Sequence, residues 1–155
     1  MAIGVQTNPA RDLALGFIAG ALAVPIFHQI MILLLGFAGL ARGAPWNFAP
    51  YGPFGVPRLI NQMFWGGVWG IVYALIVDRL PKQWPRWLVG FVFGVVGPVL
   101  FGWTVMALIR GSALFAGFVP VRMLAGVLIN GAFGIGVALI FIWLRGALGA
   151  RSAAA

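Results

Sequence analysis

The stretch that decides the fold is LALGFIAGALAVPIFHQIMILLLGF, residues 13–37, which contains no charged side chain. Three further intervals without charge follow it, Arg58–Asp78, Arg86–Arg110 and Arg122–Arg145. Each is close to the roughly 20 apolar residues that an α-helix needs to cross the hydrocarbon core of a bilayer. The pattern predicts four transmembrane helices, near residues 13–37, 58–78, 87–110 and 121–145.

The overall composition supports the same fold class. Hydrophobic residues make up 63% of the chain and charged residues only 8%, whereas a soluble domain has about 25% charged residues. Membrane β-strands would be about 10 residues long with strict alternation, and the sequence has no such pattern. We therefore expect an all-α membrane protein in which residues 1–155 form a single transmembrane domain.

The residue inventory argues against several kinds of chemistry. The chain has no cysteine and one histidine, so disulfides and ordinary zinc sites are excluded and no metal site is expected. Its two acids, Asp12 and Asp78, lie at span ends, so no paired carboxylates are expected within the membrane. No phosphate-binding loop or nucleophile elbow is found. The sequence therefore predicts a protein that is not an enzyme.

The positive charge indicates how the chain sits in a membrane. Its net charge is +8, but the basic residues are scattered at span ends, which favours anionic lipid headgroups over nucleic acid as partners. An even number of spans places both termini on one side. That side would carry Arg11, Arg79, Lys82, Arg86, Arg145 and Arg151, and the other side Arg42, Arg58, Arg110 and Arg122. The bias predicts both termini in the cytoplasm.

Comparison of the chain with itself indicates a duplication. An offset of about 74 residues pairs Gly16 with Gly90 and Gly20 with Gly94, and an offset of about 64 pairs Arg58 with Arg122. We expect a tandem repeat of two helical hairpins related by a pseudo-two-fold axis along the membrane normal. The alternative is chance similarity between glycine-rich spans. The repeats would cover about 13–80 and 87–145, with a flexible C-terminal tail at 146–155.

Small residues are expected to hold the helices together, because lipid is as apolar as leucine and burial alone cannot drive association. The chain has 23 glycines, many spaced four apart. The candidate packing residues are Gly16, Gly20, Gly66, Gly70, Gly90, Gly94, Gly131 and Gly134. Pro25 and Pro98 are expected to kink the first and third helices.

Polar residues within the spans are the candidate functional residues. With the predicted orientation, they lie between the outer interface and mid-depth and would line one outer vestibule. The predicted vestibule residues are Arg58, Arg122, Gln29, Asn61, Gln62, Thr104 and Asn130. The connection 41–57 is rich in proline and aromatic residues and is placed to fold back over the vestibule as a lid.

Each of these residues also has a purely structural interpretation. The amides serve as interhelical clamps or as ligands, and the two arginines reach lipid phosphates or form an anion site. For His28 the structural interpretation is a neutral imidazole hydrogen-bonded to a neighbour. The functional interpretations are a haem or quinone ligand, a proton-sensitive switch and a substrate contact. No cofactor is predicted, because a monomer has no second histidine that could bind a haem together with His28.

Three segments carry a resemblance: Phe27-His28-Gln29, residues 53–57 (PFGVP) and residues 64–70 (FWGGVWG). They resemble segments of small four-helix inner-membrane proteins of bacteria to which no function is assigned. The resemblance covers roughly the first half of the chain. It implies a multi-pass protein of the bacterial inner (plasma) membrane and implies no chemical activity.

Three functional hypotheses follow. The first is an accessory or structural subunit that associates with itself or with a larger membrane complex. The second is a small channel or carrier for an anionic or neutral solute that enters from the outer vestibule. The third is a haem- or quinone-binding protein that uses His28.

Overall fold

The computed structural model describes residues 9–41 and 43–153 and contains four long helices. We label them α1 (Pro9–Phe37), α2 (Arg58–Arg79), α3 (Arg86–Ile109) and α4 (Pro120–Ala153). All four are long and apolar enough to span a membrane, α4 over Pro120–Leu148. The prediction of four such helices is confirmed, and the chain is compatible with a multi-pass membrane protein.

Consecutive helices run antiparallel, so the bundle has two ends. The terminal end holds Asp12, Arg145 and the connection 80–85 between α2 and α3. The far end holds the connections 38–57 and 110–119. The first of these contains a two-stranded antiparallel sheet, β1 (Pro50–Tyr51) and β2 (Val56–Pro57), in which Pro50 pairs with Pro57.

Two of the helices are interrupted at their prolines. A proline has no N–H to donate to the preceding turn, and the helix accommodates the loss by widening locally. Helix α1 has a π-helical turn at Val24–His28, which includes Pro25, and α3 has one at Val95–Val99, which includes Pro98, and another at Gly102–Met106. The two prolines expected to disturb their helices therefore lie in π-helical turns.

Helices α1 and α2 cross at glycines. A Cβ atom placed on Gly16 would lie 2.8 Å from the Cβ of Ala74, and one placed on Gly70 would lie 2.9 Å from the backbone nitrogen of Gly20. Real Cβ atoms essentially never approach other atoms this closely, so the crossing requires glycine. Gly66 takes part in the same contact, since a Cβ placed on it would lie 2.8 Å from the carbonyl oxygen of Gly20.

Helices α3 and α4 cross in the same way. A Cβ atom placed on Gly90 would lie 2.8 Å from the Cβ of Ala138, and one placed on Gly134 would lie 2.8 Å from the backbone nitrogen of Gly94. Gly131 lies under the ring of Phe91. All eight predicted packing glycines therefore lie at helix crossings.

Large side chains fill the centre of the bundle. Tyr73, Phe141 and Val137 are fully buried, and the Tyr73 ring packs edge-on against Phe93 and Phe141 at centroid distances of 5.1 and 5.8 Å. The interior therefore consists of close backbone contacts and interlocking aromatic rings.

The C-terminal part, which the sequence analysis expects to be a tail, is helical as far as it is described. Helix α4 continues without a break to Ala153, so residues 146–153 are helical. No glycine or proline stands between Gly149 and Ala153 to end the helix, and alanine is the strongest helix former. The last two residues of the expected tail and Arg42, which the charge count places outside, lie beyond the described residues.

Candidate functional site

The far end of the bundle contains a polar pocket of about 150 Å³. Helix α1 contributes Gln29, helix α2 contributes Arg58 and Gln62, and the connection between them contributes Asn47. The rest of the lining is apolar or backbone: Ile32, Ala41, Gly43, Ala44 and Ile129. We call this the far-end pocket.

Gln29 organises the pocket. Its side chain is only 2% exposed, and a buried amide needs partners for both its nitrogen and its oxygen. Its Nε2 donates to Oε1 of Gln62 at 2.9 Å, and its Oε1 accepts a bond from the backbone N–H of Trp46 at 3.0 Å. Gln29 thus joins α1, α2 and the connection, which is the clamp interpretation of the spanning amides.

Trp46 ties the connection to α1 beside the pocket. Its indole Nε1 donates to the carbonyl oxygen of Pro25 at 3.0 Å, a group located in the π-helical turn of α1. The residue has φ 48°, a left-handed conformation that is uncommon for a bulky side chain. The connection therefore contacts α1 through two hydrogen bonds that Trp46 donates.

Arg58 supplies the charge at the pocket. Its guanidinium carbon lies 5.0 Å from the centroid of the Tyr51 ring, in a cation–π geometry. The side chain is exposed. A planar guanidinium beside amide groups is suited to a small solute that carries a carboxylate or phosphate together with hydrogen-bonding groups.

The structure separates the other predicted vestibule residues from this pocket. Thr104 Oγ1 donates to the carbonyl oxygen of Leu100 at 2.6 Å, and Asn130 Nδ2 donates to that of Gly126 at 3.0 Å, so each bonds its own helix. Asn61 is partly buried on α2, and Arg122 is exposed at the start of α4. Neither Asn61 nor Arg122 lines the pocket. Only Arg58, Gln29 and Gln62 of the predicted set meet there.

His28 lies beside the pocket. Its Nδ1 is 3.3 Å from Nε2 of Gln29, and its ring meets that of Phe133 edge-on at a centroid distance of 6.5 Å. These contacts correspond to the interpretation of His28 as an imidazole bonded to a neighbouring amide. Within residues 9–41 and 43–153, no group of three His, Cys, Asp or Glu side chains is arranged to hold a metal ion.

A charged cluster at the terminal end was not anticipated from the sequence. Arg145 of α4 bonds Asp12 of α1 through Nη2 at 2.8 Å and Asp78 at the end of α2 through Nη1 at 3.2 Å. One arginine thus pairs with both acids of the chain. The sequence could have indicated this cluster, because it predicts all three residues on the same side of the membrane.

Comparisons of this chain with models of known protein families, with curated proteins and with solved structures gave no significant match.

Proposed function

We propose that the protein is an accessory or structural subunit of a bacterial inner membrane that associates through its lipid-facing helices, with itself or with a larger complex. The observation that carries this proposal is a set of helical glycines that the fold does not use. Gly36 on α1 and Gly102 on α3 have open space where a Cβ atom would stand.

These glycines need a reason to be present. A glycine inside a helix costs about 1 kcal/mol relative to alanine, and the internal crossings already account for the glycines packed between helices. Small residues on the outside of membrane helices allow the backbone of another helix to approach closely. Gly36 and Gly102 lie within the membrane-spanning helices and are suited to such an approach.

The filled interior supports the same proposal. Close contacts at glycines leave no space between α1 and α2, or between α3 and α4, where these helices cross. The aromatic side chains of Tyr73, Phe133 and Phe141 occupy the space between them. A bundle packed in this way has its functional groups on its surface rather than along a central path.

We further propose that the bundle is a tandem repeat with a pseudo-two-fold axis along the membrane normal. The support is a set of equivalent contacts at the residues that the sequence offsets pair. Gly16 meets Ala74 as Gly90 meets Ala138, and Gly67 lies against the ring of Phe17 as Gly131 lies against that of Phe91. Superposition of α1–α2 on α3–α4 in an experimental structure would test it, and a poor fit would refute the repeat.

The experiment for association compares Gly36→Leu and Gly102→Leu with the wild-type protein in nanodiscs or mild detergent. Native mass spectrometry gives the number of copies and any co-purifying subunit. We expect the wild-type protein to be an oligomer or to carry a stoichiometric partner, and both variants to lose it while keeping their helix content. A monodisperse wild-type monomer with nothing bound would contradict the proposal.

A second candidate function is the binding or transport of a small anionic or neutral solute. The far-end pocket favours it, because Arg58, Asn47 and Gln62 meet in one cavity. The test is uptake of labelled carboxylates and phosphates by liposomes that contain the protein. Loss of uptake in Arg58→Ala, with uptake retained in Arg122→Ala outside the pocket, would support an anion site, and unchanged uptake in Arg58→Ala would exclude it.

A further inference from the structure

The seam between α2 and α3 is held open by aromatic side chains. The Trp69 ring of α2 packs edge-on against Phe93 and Phe101 of α3 at centroid distances of 6.1 and 5.7 Å. Beside these rings lies an apolar crevice of about 240 Å³. Val72, Val89, Phe93 and Val96 line it along the helices, and Pro81 and Trp84 line it at the terminal end.

The corresponding seam on the other side of the bundle is closed. The offsets of 74 and 64 residues pair Phe93 with Ala19, Gly97 with Ala23 and Val72 with Gly136. Between α1 and α4, Ala19 and Ala23 are fully buried, and a Cβ atom on Gly136 would lie 3.0 Å from that of Ala23. Small residues bring α1 and α4 together, whereas larger ones at two of the three paired positions keep α2 and α3 apart.

The crevice opens toward the surroundings of the bundle. Val96 is 60% exposed and Trp84 is 43% exposed, although both line it. In a bilayer the surroundings at the level of Val96 are hydrocarbon chains, and tryptophan prefers the level of the headgroups. The crevice therefore extends from the headgroup level at Trp84 into the hydrocarbon region.

The connection that borders the crevice at its headgroup end is basic. The connection that supplies Pro81 and Trp84 also carries Lys82 and is flanked by Arg79 and Arg86. The acid that precedes it, Asp78, pairs with Arg145 of α4 at 3.2 Å. An apolar slot bordered by a basic connection complements a molecule with a hydrocarbon chain and an anionic head.

We propose that this crevice binds one acyl chain of an anionic phospholipid, whose phosphate is held by Lys82 and Arg86. Such a lipid site lies within the chain itself and is separate from the surface proposed for association. Lipid phosphate matches the basic and tryptophan-containing connection, and a flexible acyl chain matches a narrow slot between two helices.

The experiment equilibrates the purified full-length protein with vesicles of phosphatidylglycerol and phosphatidylcholine in equal amounts and counts retained lipids by native mass spectrometry. We expect one phosphatidylglycerol per chain, retained about thirtyfold over phosphatidylcholine. That ratio corresponds to about 2 kcal/mol, with about 1 kcal/mol from each of two cations near the membrane surface. Equal retention of the two lipids would overturn the proposal.

Matched variants separate the site from general charge. Lys82→Gln/Arg86→Gln should bring the ratio of retained phosphatidylglycerol to phosphatidylcholine close to one. Arg110→Gln/Arg122→Gln removes the same amount of charge at the far end and should leave that ratio unchanged. An equal loss of the preference for phosphatidylglycerol in the two double variants would refute a specific site. Val92→Phe fills the crevice and should abolish retention of both lipids. If that variant does not fold, Val96→Phe replaces it in the same test. Wild-type retention in a folded filling variant would also refute the proposal.

Discussion

Arg145 Nη2 lies 2.8 Å from Asp12 Oδ2, which joins two residues that are 133 positions apart in the chain. The Asp12 side chain is 11% exposed and that of Arg145 is 23% exposed. The pair links the first helix to the last. Because Nη1 of the same guanidinium bonds Asp78, the end of α2 is joined to them as well.

Removal of this arginine is expected to destabilise the protein strongly. Arg145→Gln leaves the nearly buried carboxylate of Asp12 without its cation, and breaking a buried pair in this way costs up to about 3–5 kcal/mol. The partial exposure of Arg145 places the expected loss toward the lower end of that range. Thermal unfolding in detergent measures it, and the double variant Asp12→Asn/Arg145→Gln should recover part of the loss.

The other acid provides a matched control for the same cluster. Asp78 is 70% exposed, and an exposed ion pair contributes about 0–1 kcal/mol. Asp78→Asn should therefore change the unfolding temperature much less than Asp12→Asn. Equal effects of the two substitutions would show that the cluster does not act through burial.

Side chains at the glycine crossings should separate the helices. Gly70→Leu and Gly134→Leu place atoms where the facing backbone of Gly16 or Gly90 already stands, and overpacking of this kind costs about 1–3 kcal/mol or more. We expect both variants to unfold at clearly lower temperature in detergent. Gly146→Leu is the control, since nothing lies within 4 Å of the added Cβ. A loss of stability in the control equal to that in Gly70→Leu would contradict the packing scheme.

The amide clamp is expected to contribute a moderate amount of stability. Gln62→Leu removes the partner of Gln29 across the α1–α2 interface, and hydrogen bonds between membrane helices contribute about 0.6–2 kcal/mol. Thr104→Val is the control, because that hydroxyl bonds its own helix at Leu100. Denaturant unfolding of both variants should show a loss for Gln62→Leu and little change for Thr104→Val. The reverse order would exclude the clamp.

The orientation can be measured directly because the chain contains no cysteine. Gln83→Cys in the connection 80–85 should react with an impermeant thiol reagent only after the cytoplasmic side is opened. Ser112→Cys in the connection 110–119 should react in intact spheroplasts. The opposite pattern would place both termini outside and would reverse the expectation drawn from the basic residues.

The positions of the helices follow from the sequence because the chain offers few alternatives. A backbone within lipid must satisfy its own hydrogen bonds, so each uncharged interval long enough to cross the bilayer becomes a helix. The position of Gly16, Gly70, Gly90 and Gly134 at helix crossings could be predicted for a related reason, since close packing is the main attraction between helices in lipid.

The partners of the polar residues were harder to predict. Helical spacing indicates the face on which Thr104 or Asn130 lies, but not that its side chain bonds the carbonyl of its own preceding turn. Three predicted vestibule residues meet because α1 and α2 are neighbours in sequence. The pairing of Asp12 with Arg145 depends on how the first and last helices pack, which no local pattern encodes.

The hydrogen bond from the Trp46 indole to Pro25 has a mechanical consequence for the first connection. The acceptor belongs to the irregular turn Val24–His28 rather than to the end of α1. The connection cannot lift from the pocket until that carbonyl releases its indole donor. The backbone N–H of the same residue bonds Gln29, so detachment of the first connection requires two hydrogen bonds to different turns of α1 to break together.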